Sequence, residues 1–310
     1  MKNSFLILSI TAISLASQNA RADNPTSGSC AKNADSTCEW SFDTSTGTLT
    51  ISGQGAMADY DYFMTEEYDR TSDGHVMPIT PWNVQNDDGT YPISSVQNVV
   101  IGKDITSIGD RAFAHATNLT NVTFEEGSQL QTIGQHAFAL TGLTNITFPD
   151  SVTTLGSSSL QFTDLATWNW PANLTKIGWA TFNHNNAIES IVIPDTVTTI
   201  GNNAFTSCPN LKSIILGENV TSVDNKAWSP NVYIYCQEGG HGGKSCEELV
   251  SAAGRGKLRT YTVENGKIKV GSKTYNSFDE LPGYVLRRIY TVDEAEAAAG
   301  PVNRVTIRYK

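Results

Sequence analysis

Three sets of residues in this 310-residue chain have types suited to chemistry. Gly239-Gly240-His241-Gly242-Gly243-Lys244 resembles a phosphate-cradling loop, but it lacks the G-x-x-x-x-G-K-[ST] spacing. It reads instead as a flexible loop inside a ring closed by Cys236 and Cys246. Asp59, Asp61, Glu66, Glu67 and Asp69 form an acidic run suited to weak calcium binding, without EF-hand or nonapeptide spacing. The five histidines (75, 115, 136, 184 and 241) are scattered, so neither a Cys-His catalytic pair nor a zinc site is expected. No G-x-S-x-G or H-E-x-x-H occurs, and nothing selects a carboxylate pair for glycoside hydrolysis. No catalytic residue, metal or cofactor is predicted.

The cysteines are Cys30, Cys38, Cys208, Cys236 and Cys246. Sequence alone leaves their connectivity open; the two close pairs suggest Cys30 with Cys38 and Cys236 with Cys246, leaving Cys208 over. Disulfides require an oxidising compartment. The first residues agree: a short basic start, an apolar run over 5–16 and Ala20-Arg21-Ala22 read as a secretory signal peptide cut after Ala22. No later stretch is long and apolar enough to span a membrane. Removing 1–22 takes away Lys2 and Arg21 and no acids, which leaves 19 basic against 31 acidic residues, a balance of −12. Such a field opposes nucleic acid and anionic lipid.

The elements that would position any site are set by an internal repeat. Ile108-Gly109, Ile133-Gly134, Leu155-Gly156, Ile177-Gly178, Ile200-Gly201 and Val223-Asp224 recur at steps of 22 to 25 residues. Four positions past each Gly, or Asp224, stands a large apolar residue: Phe113, Phe138, Leu160, Phe182, Phe205 and Trp228. Upstream an L-x-x-L-x-L pattern returns, from Val96, Val99 and Ile101 to Leu211, Ile214 and Leu216. Alternation in L-x-L is the period of a half-buried strand. A unit of about 23 residues cannot bury its apolar face alone, so the units must stack into one continuous core. Gly201 is expected to supply either a turn geometry or a close approach that a side chain would block. The pairs after each Gly, such as Asp110-Arg111 and Asn202-Asn203, vary freely. The volume missing at Leu160 is expected to be made up by Trp168 or Trp170.

The consensus L-x-x-L-x-L-P-x-x-V-x-x-I-G-x-x-A-F, carried over residues 96–234, resembles the BspA-like class of leucine-rich repeat. The stretch Trp40 to Tyr60 and Pro81-Trp82 look like the leader that precedes such repeats. The expected organisation is a signal peptide (1–22), an N-terminal β cap (23–95), a repeat solenoid of about six repeats with a short parallel β-sheet (96–235), and a small C-terminal α+β segment (236–310). In the last segment, Ser245 to Glu248 is a capping box opening a helix that ends at Gly254, and Asn265-Gly266 is a hairpin turn. Thr291 to Glu294 is a second capping box opening a helix that ends at Gly300-Pro301, before a closing strand, and Arg287, Arg288, Arg304, Arg308 and Lys310 form a basic cluster. Aromatics over 58–92 suit either sugar stacking or packing of the loop on the first coil.

Outward strand positions are the remaining candidate for binding. One row is Asn98, Asn121, Asn145, Thr167, Ser190 and Ser213, all uncharged and polar; the row beside it holds Thr123, Thr147 and Asn169 among Val100, Val192 and Ile215. Solenoid sheets present such extended surfaces for binding, and a self-satisfying polar ladder is the alternative. Five N-x-[ST] sequons (Asn118, Asn121, Asn145, Asn173 and Asn219) fall in the repeats. The family resemblance implies an exported or surface-associated, non-catalytic protein that binds a protein or glycoprotein on a host, matrix or neighbouring cell. A structural envelope module without a ligand, and an enzyme housed in the C-terminal segment, stay open as alternatives.

Overall fold

A computed structural model describes residues 26–61, 80–83, 92–239 and 241–281. The signal peptide, the second capping box with its helix and closing strand, the basic cluster, and Tyr62, Phe63, Glu66, Glu67, Tyr68, Asp69 and Tyr91 of the leader loop lie outside the described residues. The chain winds as a parallel β-solenoid whose coils have three sides. The L-x-L residues form the first side and the x-x-I-G residues the second. Strands Ile105–Ile108, Thr132–Ile133, Thr154–Leu155, Lys176–Ile177, Thr199–Ile200 and Ser222–Val223 stack there with Gly55–Ala56 into a seven-stranded parallel sheet. Their register sets Ile133, Leu155, Ile177, Ile200 and Val223 in one inward column. Each is at most 5% exposed.

The first side is built in three pieces. Ser27–Ser29, Glu39–Asp43 and Thr48–Ser52 pair antiparallel, and the last passes in parallel register to Asn98–Ile101 and Asn121–Phe124. The hairpin read from Trp40 to Ser52 is thus the start of the sheet. Asn145–Ile146 pairs with Thr167–Trp168, and a six-stranded piece runs from Ser190–Val192 through Ser213–Ile215, Tyr233–Gln237 and Lys257–Glu264 to Lys267–Val270 and Lys273–Tyr275. Tyr233–Gln237 and Lys257–Glu264 are parallel, so the chain beyond residue 236 adds one more coil before it turns back.

The third side has no strand pairing over most of its length, yet it is the most regular. The residue two past each Ile-Gly glycine, or past Asp224, is left-handed: Arg111, His136, Ser158, Ala180, Asn203 and Lys226, with φ from 51° to 59°. In five coils a second left-handed residue follows four positions later: His115, Leu140, Phe162, His184 and Ser207. For L-residues this conformation costs roughly 1–2 kcal/mol each. Here it lines the peptide groups up so that each coil donates to the next, as in Arg111 N–H to Gln135 O (2.8 Å), Phe113 N–H to Ala137 O (2.8 Å) and His115 N–H to Ala139 O (2.9 Å). The residues that vary freely in sequence therefore share one backbone geometry.

The ladder aromatics fill the interior. Phe113 stacks on Phe138 at 5.3 Å and Phe182 on Phe205 at 5.4 Å, all fully buried. Trp82 continues the stack beyond Phe113 at 5.8 Å, with Trp40 and Tyr60 edge-on to it. Of the leader aromatics, Tyr60 and Trp82 thus belong to the core and are not a sugar platform. At the gap left by Leu160, Trp168 points inward and stacks on Phe182 at 5.0 Å, while Trp170 donates its indole N–H to Val192 O. Gly201 has no left-handed backbone; a Cβ there would lie 2.8 Å from the carbonyl carbon of Gly178. Close approach of the coils, not a turn, requires the glycine.

Disulfides join Cys30 to Cys38 and Cys236 to Cys246. Cys208 is free and buried, and its burial pushes the thiol up to about 11. Helix α1 (Cys246–Ala252) begins with the Ser245/Glu248 capping box, and Asn265 and Gly266 make the left-handed turn of the hairpin that follows. That hairpin folds back over the sheet: Ile215, Tyr235, Tyr261, Ile268 and Leu281 form a second, smaller core on its outer side.

Candidate functional site: the outer face of the first side

Outward side chains on parallel strands in register fall into rows, because successive residues of a strand alternate between the two faces. The pairing sets Asn98 beside Asn121 and Val100 beside Thr123, then Asn145 beside Thr167, then Ser190 beside Ser213 and Val192 beside Ile215. Asn121, Thr123, Asn145 and Thr147 are exposed; Asn98, Thr167, Asn169 and Ser190 are half-buried. Ser213 is fully buried, which removes it from the accessible face. Its neighbour in the register is Tyr233, at the edge of the second core. The open face therefore runs from Asn98 to Ser190.

The polar side chains there are already engaged to different degrees. Asn98 Nδ2 donates to Thr46 O at 3.3 Å, Asn121 Nδ2 to Thr123 Oγ1 at 3.5 Å, and Asn145 Nδ2 to Thr144 Oγ1 at 3.4 Å. Bonds this long are weak and exchangeable with a ligand or water. Asn169 differs: its Oδ1 accepts from Phe148 N at 2.6 Å and its Nδ2 donates to Phe148 O at 2.8 Å. This amide replaces a ladder step between two coils and is structural. Of the sequon asparagines, Asn118, Asn173 and Asn219 donate to backbone carbonyls of the preceding coil, at 2.7, 3.0 and 2.9 Å, so they too hold coils together.

At the N-terminal edge of the open face lies a hollow of about 410 Å³, lined among others by Thr37, Thr50, Gln54, Lys103, Asp104 and Glu125. Glu125 is occupied there, accepting from Lys103 N at 3.0 Å. The acidic run does not gather into a cation site among its described members. Asp59 pairs with Lys32 at 2.7 Å and accepts from Asp110 N, and Asp61 faces Arg111 at 3.9 Å.

One grouping escaped the sequence reading. His241 lies inside the Cys236–Cys246 ring, with Nε2 3.1 Å from Cys236 Sγ, and is 1% exposed. The Gly-rich loop is a 3₁₀ turn at this point, and its one imidazole is folded inward. The signal was available in the spacing C-x₄-H-x₄-C, where only His241 interrupts a run of glycines.

Residues 87–190 match the BspA type leucine rich repeat region, in six copies. The coils within that segment are BspA-type leucine-rich repeats. Among solved structures, the chain is similar to a leucine-rich repeat protein from Eubacterium ventriosum ATCC 27560, at 22% identity over 69% of each chain with a TM-score of 0.47. A leucine rich cell surface protein from Faecalibacterium prausnitzii A2-165 is 17% identical, with 68% of this chain and 76% of that one covered and a TM-score of 0.32. The leucine rich repeat protein of T. pallidum is 18% identical, with 64% and 82% covered and a TM-score of 0.28. No curated protein matches the chain. The coils continue in structure past the matched segment, through the strands Ser213–Ile215 and Tyr233–Gln237. Among the described residues no helix is long and apolar enough to cross a membrane.

Proposed function

We propose that this chain is an exported, surface-associated, non-catalytic binding protein, which holds a protein or glycoprotein partner of a host, matrix or neighbouring cell on the open face from Asn98 to Ser190. The observation that carries the reading is the exposed block Asn121, Thr123, Asn145 and Thr147, uncharged and mounted on strands of a fully packed interior. Uncharged polar groups on a rigid surface bind with little ordering cost and little desolvation of charge. Export is supported by the two disulfides, which need an oxidising compartment. The −12 balance expected once residues 1–22 are removed disfavours nucleic acid as the partner.

The test is adherence of purified protein to matrix proteins and host cells after Asn121→Arg, Asn145→Arg and Ser190→Arg together. Loss of adherence with an unchanged circular dichroism spectrum is expected; unchanged adherence removes this face as the site. A second reading, an envelope module without a ligand, is favoured by the way Asn169 and the sequon asparagines serve the coils. No adherence by the wild-type protein to any of these targets would favour this second reading over the first.

A further inference from the structure

We propose that the ring formed by Cys236, His241 and Cys246 is a redox-gated zinc site: a disulfide when oxidised, and a Cys₂His set of ligands for one zinc ion when reduced. The one candidate ligand atom of each residue lies within 4.8 Å of the other two, and all three residues are buried. A tetrahedral zinc with Zn–S near 2.3 Å and Zn–N near 2.0 Å needs sulfurs roughly 3.8 Å apart. Opening the disulfide lets the sulfurs part to that distance without moving the strand, because the Cα atoms are already 5.8 Å apart.

The placement of His241 points the same way. Its side chain is the only one between Glu238 and Lys244, among four glycines that leave the loop free to hold it in solvent. Instead the ring is 99% buried, on a left-handed backbone at φ 69°, with Nε2 aimed at the sulfur. Nδ1 is buried without a hydrogen-bond partner of good geometry, and the peptide groups of Val220 and Gln237 lie beside the ring. A metal on Nε2 fixes the tautomer with the proton on Nδ1.

The balance is simple. A thiol or phosphine reductant supplies two electrons, the Cys236–Cys246 bond breaks, and two protons from solvent complete the thiols. Zinc then binds as two thiolates and one imidazole form bonds to it and two protons leave; the fourth position is open to water. Either closure ties Tyr233–Gln237 to helix α1.

The experiment uses the full chain, oxidised and after phosphine reduction, with zinc measured by competition against a chromophoric chelator and by thermal melting. Expected are one zinc per reduced chain, none for the oxidised chain, and a zinc-dependent rise in the melting temperature of the reduced form. His241→Ala is expected to weaken zinc binding by more than about 10-fold, since even an outer-shell change costs 10–100-fold, and to abolish the melting shift. Cys208→Ser is expected to change neither. Cobalt in place of zinc should show thiolate charge-transfer absorption that His241→Ala alters. Absence of stoichiometric zinc, equal binding by His241→Ala, or a reduced chain that is unfolded and not refolded by zinc overturns the proposal.

Discussion

The two halves of the first side have the same backbone and opposite outward chemistry. From Asn121 to Thr147 the rows are Asn and Thr and stand open to solvent; from Val192 onward Val192, Ile215 and Tyr235 pack with Tyr261, Ile268 and Leu281 of the hairpin and the chain after it. Inside, the halves are alike, since Phe138 and Phe205 are both fully buried in the same stack position. The inward pattern makes the coil, whereas the outward pattern decides whether the coil is a surface or a floor.

That contrast can be broken at three points. The largest effect is expected inside, where Phe138→Ala and Phe205→Ala should each cost about 3–5 kcal/mol in denaturant unfolding; a marked inequality would show that the halves do not share one core. Next comes Tyr235→Ala, which is 1% exposed on the outer face. It should lose about 3 kcal/mol, seen as faster amide exchange over Lys257–Glu264, and a loss no larger than that of a surface substitution would refute the second core. The smallest change belongs to Thr147→Ala on the open face, expected within about 0.5 kcal/mol in melting. A larger cost there would mean that the polar rows are structural.

Much of this was legible in the chain. The repeat period, the Phe ladder, the hairpin at Asn265-Gly266 and the Ser245 cap follow from local spacing and turn chemistry, so they could be read without knowing what lies across the fold. The burial of Ser213 could not, because it depends on which strand comes to lie beside it, and the strand that does so carries Tyr233 at that register. His241 was missed because its partners are brought close by the ring and not by a helical or strand period. The left-handed residues were invisible for another reason: Arg, His, Ser, Ala, Asn and Lys share no side-chain feature, and their geometry is imposed by hydrogen bonds between coils.

The third side also gives the molecule a direction. Its N–H groups that bond between coils point toward the C-terminal end, from Tyr60 N–H on Asp110 O at the start to Lys226 N–H on Ala253 O at the finish. One end of the stack is therefore a bank of acceptors and the other a bank of donors, and the aligned peptide dipoles add along the axis instead of cancelling. The two ends of the column are not interchangeable: the chain before the first coil brings a donor at Tyr60, and the end of α1 brings a carbonyl at Ala253. A column with this polarity could not be closed at both ends by two copies of the same segment.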